Sequence, residues 1–174
     1  MKGRANYRKG TLHFYVNTIV INNSTTMDWD ITAMFEASTN EEALDVRNNV
    51  FYSVKAPGEL SPIVLLGPRD GVASGILTLQ SNWIAQGWTE FDEIPGAAPM
   101  NVGMSSGFDG SIRGVDPGFV SVMKGDYTPA AMSPLLGKGA AIDDLPPVQF
   151  QYAAQGAGKP RDDGSSPTIG AFGP

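Results

Sequence analysis

Apolar and polar residues alternate with period two in three stretches of the chain. In the first, Leu12, Phe14 and Val16 fall on one side of an extended segment and His13 and Tyr15 on the other. In the second, Leu44 and Val46 are opposed by Asp45 and Arg47, and in the third Leu77 and Leu79 hold the apolar positions. Such alternation marks a half-buried strand. Superposed, the stretches place Leu12, Leu44 and Leu77 in one column, Phe14, Val46 and Leu79 in a second, and Asn17, Asn49 and Asn82 in a third. Each column has spacings of 32 and then 33 residues, so the pattern is an internal repeat.

After each asparagine comes a second apolar run: Ile19 to Ile21, Val50 to Tyr52 and Trp83 to Ala85. Polar excursions, Asn22 to Asp30 and Lys55 to Pro62, lead into third runs, Ile31 to Phe35 and Ile63 to Leu66. One repeat therefore reads as strand, corner, strand, loop and strand. The architecture expected is all-β: a right-handed parallel β-helix, or solenoid, of about three to four coils whose apolar columns form one continuous core. A β-sandwich has no reason to repeat its columns at this period. Asparagine tolerates the left-handed backbone a tight bend uses, so Asn17, Asn49 and Asn82 are expected to form the bends and to stack as an amide ladder.

Composition agrees with a turn-rich β protein. Of 174 residues, 21 are glycine and 13 proline, far above ordinary usage and incompatible with a helix bundle. Organisation follows as a basic lead-in over 1–10, coils over 11–122 and an irregular tail over 123–174. Prolines and aromatics in that tail suit a wrap over the exposed end of the last coil. The first strand starts in mid-pattern behind a polar lead-in, which points to upstream coils or another chain at that open end.

The chain has no cysteine, which removes disulfides, thiolate metal sites and cysteine nucleophiles together. Formal net charge is −6, yet Lys2, Arg4, Arg8 and Lys9 crowd the first ten residues, leaving eight bases against 18 acids in the remainder. Such a body repels nucleic acid and anionic lipid. No apolar run is long enough for a membrane span, and no signal-peptide core opens the sequence.

The second half carries VDPGFV from Val115, GDYTPAAMSPLLGKG from Gly125 and DDGSSPTIGAF from Asp162. With the repeat columns, these resemble the C-terminal part of right-handed parallel β-helix repeat proteins, the pectate-lyase-like superfamily. The matching positions are Asp116, Pro117, Phe119, Asp126, Tyr127, Ser133, Pro134, Gly139, Arg161, Gly170 and Phe172; Gly137, Thr168 and Gly173 depart from the pattern. The resemblance implies an extracellular or cell-surface protein, a polysaccharide partner and an active site upstream of this chain. Asp116 and Ser133, each before a proline, read independently as turn initiators.

Candidate chemistry is sparse. His13 is the one histidine and reads as a solvated surface imidazole. The family's lyases use clustered aspartates for Ca²⁺ with an arginine or lysine base, and its hydrolases use paired aspartates; the residue types available here are Asp45 with Arg47, Asp28 with Asp30 as Ca²⁺ candidates, and Arg69 with Asp70. An ordinary surface ion pair between neighbours on one strand face explains Asp45 and Arg47 fully. Tyr15, Tyr52 and Trp88 are candidate sugar-stacking rings, whereas Trp83 reads as filler of the corner space that Thr18 and Val50 take in the other coils. Two functions follow as expectations: the C-terminal segment of an exported lyase- or glycosidase-like protein, mainly structural or carbohydrate-contacting, and a non-catalytic surface, adhesion or carbohydrate-binding module.

Overall fold

The structure is a computed structural model that describes residues 9–21, 32–37, 39–54, 63–67, 75–91, 103–153, 157–162 and 166–173. The strands are β1 (Gly10–Tyr15), β2 (Thr18–Ile21), β3 (Thr32–Glu36), β4 (Glu42–Arg47), β5 (Val50–Ser53), β6 (Ile63–Gly67), β7 (Ile76–Gln80) and β8 (Trp83–Ala85). They continue with β9 (Met104–Ser106), β10 (Ile112–Gly114), β11 (Phe119–Ser121), β12 (Asp126–Pro129), β13 (Phe150–Tyr152) and β14 (Gly158–Pro160). One 3₁₀ turn, Val122–Lys124, is the sole helical element among the described residues. The protein is all-β.

Three parallel sheets collect strands from successive repeats. Their orders are β1-β4-β7-β9, β2-β5-β8-β10 and β3-β6, the last extended by a bridge from Val64 to Thr89. The expected columns are the observed register: Leu12 faces Leu44 and Leu44 faces Leu77, while Phe14, Val46 and Leu79 lie abreast. In the second sheet Thr18, Val50 and Trp83 are aligned, as are Ile19, Phe51 and Ile84. Between the sheets, Phe51 contacts Phe14, Phe35 and Trp88 at centroid distances of 6.0–6.3 Å. Val46, Phe51, Leu65, Leu77 and Ile84 are completely buried.

The corners differ from expectation by one residue. Positive φ falls on Val16 (58°), Asn48 (54°) and Ser81 (50°), each directly before a column asparagine, and not on the asparagines themselves. The bend thus frees Asn17, Asn49 and Asn82 to work through their side chains. Asn17 donates from its backbone N–H (2.9 Å) and Nδ2 (3.0 Å) to Asn49 Oδ1, and Asn49 does the same to Asn82 Oδ1 at 2.9 and 3.0 Å. Second donations run from Asn49 Nδ2 to Phe14 O and from Asn82 Nδ2 to Val46 O, both 2.8 Å. These bonds satisfy carbonyls that the corner strips of ladder partners.

The repeat ends by turning its inward columns polar. Leu12, Leu44 and Leu77 are followed in register by Ser105, whose hydroxyl donates to the Glu90 carboxylate. Ile19, Phe51 and Ile84 are followed by Arg113, which donates to the carbonyls of Trp88 (2.7 Å) and Ala85 (3.2 Å) and stacks over Phe108 at 4.6 Å. An inward charge at a sheet edge blocks further pairing.

The tail was expected over that last coil, but its contacts run along the corner of the first two repeats. Asn48 exchanges two 2.8 Å bonds with Ala140, Gly170 N–H donates to Asn48 O, and Ala171 N–H donates to Thr18 Oγ1. Gly170 has φ 98°, and a Cβ there would stand 2.7 Å from Thr18 Oγ1 and 2.9 Å from Val50 Cγ2, so only glycine fits. Leu135 and Ile169 are fully buried in the shared core. The motif residues act structurally: Asp116 Oδ1 accepts from Gly118 N–H, Ser133 Oγ bonds Pro117 O, and Arg161 reaches the carbonyls of Thr168 and Gly170.

Candidate functional site

The outward face of the β1-β4-β7-β9 sheet follows from the same alternation that builds the core. Two rows cross it: His13, Asp45, Thr78 and Ser106 abreast, and Tyr15, Arg47 and Gln80 abreast. Asp45 is the hub. Arg47 Nε donates to Asp45 Oδ1 at 2.7 Å and Arg47 Nη2 to Oδ2 at 2.8 Å, while His13 Nδ1 lies 2.9 Å from Oδ2. The other edge of Arg47 grips the tail: Nη1 to Asp144 Oδ1 at 2.7 Å and Nη2 to Asp144 Oδ2 at 3.0 Å. Tyr15 adds a bond from its hydroxyl to Pro146 O at 3.1 Å. The segment around Asp144 therefore lies as a strap across the first two strands.

Two forked contacts occupy one guanidinium, and the charges balance to a net −1 before His13 is counted. Burial pushes the Asp45 carboxyl up, but the hydrogen bonds from Arg47 and His13 outweigh it and hold it below the usual carboxylate range. Asp144, hydrogen-bonded to Arg47, is also held low. Arg47 is pushed further above its already high value by Asp45 and Asp144. A guanidinium so held does not give up a proton, which argues against the base role implied for Arg47. Asp45 and Arg47 form an ion pair extended by His13 and Asp144, but Asp45 is buried, so the pair is largely covered and not an open surface pair.

The ring candidates are placed less openly than a sugar platform requires. Trp88 is 3 % exposed and packs against Phe51 inside the core; its reading as a stacking surface is corrected by that burial. Tyr52 is half-buried between Trp83 and Phe119, at 6.0 and 5.9 Å, and burial raises its phenol pKa. Tyr15 is half-buried and tied to the strap. Trp83, aligned with Thr18 and Val50, fills the corner position as expected. Asp28, Asp30, Arg69 and Asp70 lie outside the described residues. Among the described residues no group of three acidic or histidine side chains is arranged to hold a metal ion, and no helix is long and apolar enough to cross a membrane.

The strap lies over Tyr15 and Arg47 on this face, whereas Thr11 and His13 of β1 and the outward sides of β7 and β9 are exposed. Ile76, Thr78, Gln80, Met104 and Ser106 are exposed there. His13's place beside Asp45 was available from the 32-residue period, since the two occupy the same column. Asp144 had no such signal, being 97 residues from Arg47 in a segment without periodicity. Comparison with models of known protein families, with curated proteins and with solved structures finds no match to the chain.

Proposed function

We propose that the chain is a right-handed parallel β-helix module, similar to the pectate-lyase-like superfamily, that works outside the cell as a non-catalytic polysaccharide-contacting scaffold. The fold reading is supported by parallel register maintained at 32- and 33-residue spacing and by the asparagine ladder. The observation that carries the function is the open outward half-face, where the hydroxyls of Thr78 and Ser106 and the amide of Gln80 lie among the apolar Ile76 and Met104. Hydroxyl and amide groups set between apolar side chains suit sugar rings, which present both C–H and O–H surfaces.

Net charge of −6 sets the ligand preference. A neutral polysaccharide meets no repulsion, whereas a polyuronate needs a bridging cation such as Ca²⁺. Affinity electrophoresis through gels containing a neutral glucan, a neutral galactan or polygalacturonate tests this. Retardation is expected in a neutral gel without cation, and at least a threefold loss in a Thr78→Ala/Gln80→Ala variant. Unretarded migration in all three gels, with and without Ca²⁺, overturns the reading.

A second reading, a polysaccharide lyase or glycosidase, has one observation in its favour. Asp45 orients the His13 imidazole on the outward face, the arrangement that holds a histidine in one tautomer. Release of unsaturated uronate or reducing ends by the chain, abolished in His13→Gln, selects that reading over the first.

A further inference from the structure

The strap over Tyr15 and Arg47 is held firmly at its ends and loosely between them. On its N-terminal side Ala140 exchanges two 2.8 Å bonds with the buried Asn48. On its C-terminal side Gln149 O accepts from Arg161 N–H, and the buried Gln151 bonds through its side-chain carbonyl to Gly173 N–H. Between these anchors no residue from Ala141 to Val148 is buried, and none of them makes a backbone–backbone hydrogen bond among the described residues. Pro146 and Pro147 have no N–H to donate. Two polar contacts tie the strap to the sheet: the forked pair of Arg47 with Asp144, whose side chain is 60 % exposed, and the 3.1 Å bond from the Tyr15 hydroxyl to Pro146 O. An exposed ion pair and a single neutral hydrogen bond are weak ties. A segment held in this way opens far more readily than the fold beneath it.

What the strap covers continues the open part of the face. Tyr15, Arg47 and Gln80 stand abreast on β1, β4 and β7, and Gln80 alone of the three is exposed. We propose that segment 141–148 is a lid latched by Asp144: a neutral polysaccharide lying on Thr78 and Gln80 lifts it, and Tyr15 and the outer edge of Arg47 then join the site. The inference rests on the polysaccharide reading and adds the regulation of that same face. Neighbouring strands lie about 4.8 Å apart, so lifting the lid lengthens the open row by two spacings, about 10 Å. The freed groups suit the same ligand, since a phenol ring offers a flat surface to sugar C–H groups and a guanidinium donates to hydroxyls. Opening also strands no charge. Arg47 keeps Asp45 through Nε and Nη2, and the already exposed Asp144 passes to water. Because lid and ligand compete for the same residues, each weakens the hold of the other by the same factor.

The test uses the full chain in neutral glucan and neutral galactan gels, with mobilities referred to a gel without polysaccharide. Asp144→Ala, a change at an exposed side chain, is expected to bind at least threefold more tightly than the parent. Asp143→Asn changes the net charge equally but has no bond to Arg47 or Tyr15, and is expected to bind as the parent does. Adding Tyr15→Ala to Asp144→Ala is expected to cancel the gain. Hydrogen exchange supplies the reciprocal readout: amides over 141–148 in the parent are expected to exchange at least threefold faster when it is saturated with an oligosaccharide of the retarding polymer. A retarded parent with equal or weaker binding by Asp144→Ala overturns the lid and leaves the polysaccharide reading standing. Strap exchange that the oligosaccharide leaves unchanged or slows does the same. Unretarded migration of the parent and of Asp144→Ala alike overturns the polysaccharide reading and the lid with it.

Discussion

Asn82 Oδ1 accepts both the backbone N–H and the side-chain Nδ2 of Asn49, at 2.9 and 3.0 Å, and both residues are completely buried. Their amides therefore stand in for hydrogen bonds that a corner cannot make by strand pairing. Asn49→Leu removes the acceptor for Asn17 and the donor to Phe14 O while leaving the surrounding polar groups in place. Unsatisfied buried groups cost about 1–3 kcal/mol each, so a loss on the order of 3 kcal/mol is expected by urea unfolding. Asn17→Leu, at the half-buried end of the ladder, is expected to cost less than half as much. Equal losses at the two positions would contradict a ladder whose middle rung is the most committed.

The left-handed corners give a prediction of opposite sign. Val16 carries φ 58° and is β-branched, a poor residue for that conformation, whereas Asn48 occupies the equivalent position at φ 54°. Val16→Asn is expected to stabilise the protein by about 0.5–1 kcal/mol. Asn48→Gly retains the backbone angle but loses both bonds to Ala140, and is expected to destabilise by about 1–3 kcal/mol. Limited proteolysis should then cut the tail faster in Asn48→Gly than in the parent chain.

How much could be read in advance depended on whether a residue belonged to the period. Leu44, Val46, Asn49 and Phe51 repeat, so their columns, their inward or outward sense and even the ladder were legible from spacing. The corner was displaced by one residue because the left-handed position has no uniform chemistry: Val16, Asn48 and Ser81 share a backbone angle and nothing else. Trp88 follows the turn after β8, where alternation had lapsed, and its burial is decided by Phe51 across the core. The clasp was half legible: Asp45 and Arg47 are neighbours on one strand, but Asp144 arrives through a tail whose path is set by individual contacts such as Gly170 on Val50.

The clasp between Arg47, Asp45 and Asp144 predicts acid sensitivity. Both carboxyls have folded-state pKa values below the usual range. Their contribution is therefore fully present above the unfolded value, about 3.9, and is lost as pH falls through the lower folded value. Stability measured by urea unfolding should decline from about pH 5 downward, with a shallower decline in Arg47→Gln, where neither carboxyl has its partner. Arg47→Lys should behave more like Arg47→Gln than like the parent, since one ammonium cannot form two forked contacts. An unchanged acid limb in Arg47→Gln would show that other carboxylates govern it.

The last inward position of the second sheet predicts how the repeat avoids growing. Ile19, Phe51 and Ile84 lead in register to Arg113, and burial lowers the pKa of that guanidinium although Asp109 acts in the other direction. It remains charged at any ordinary pH, satisfied by the carbonyls of Ala85 and Trp88 and by the face of Phe108. Two substitutions separate its roles. Arg113→Ala removes the stem, the hydrogen bonds and the stack, and a loss of about 1–3 kcal/mol is expected on unfolding. Arg113→Ile continues the apolar column and leaves strand β10 with an uncharged edge, so its stability should fall less while its tendency to associate rises. Sedimentation velocity over a tenfold concentration range is expected to show a growing high-mass fraction for Arg113→Ile and none for the parent chain. If Arg113→Ile stays as dispersed as the parent, the end is closed by its geometry and not by the charge.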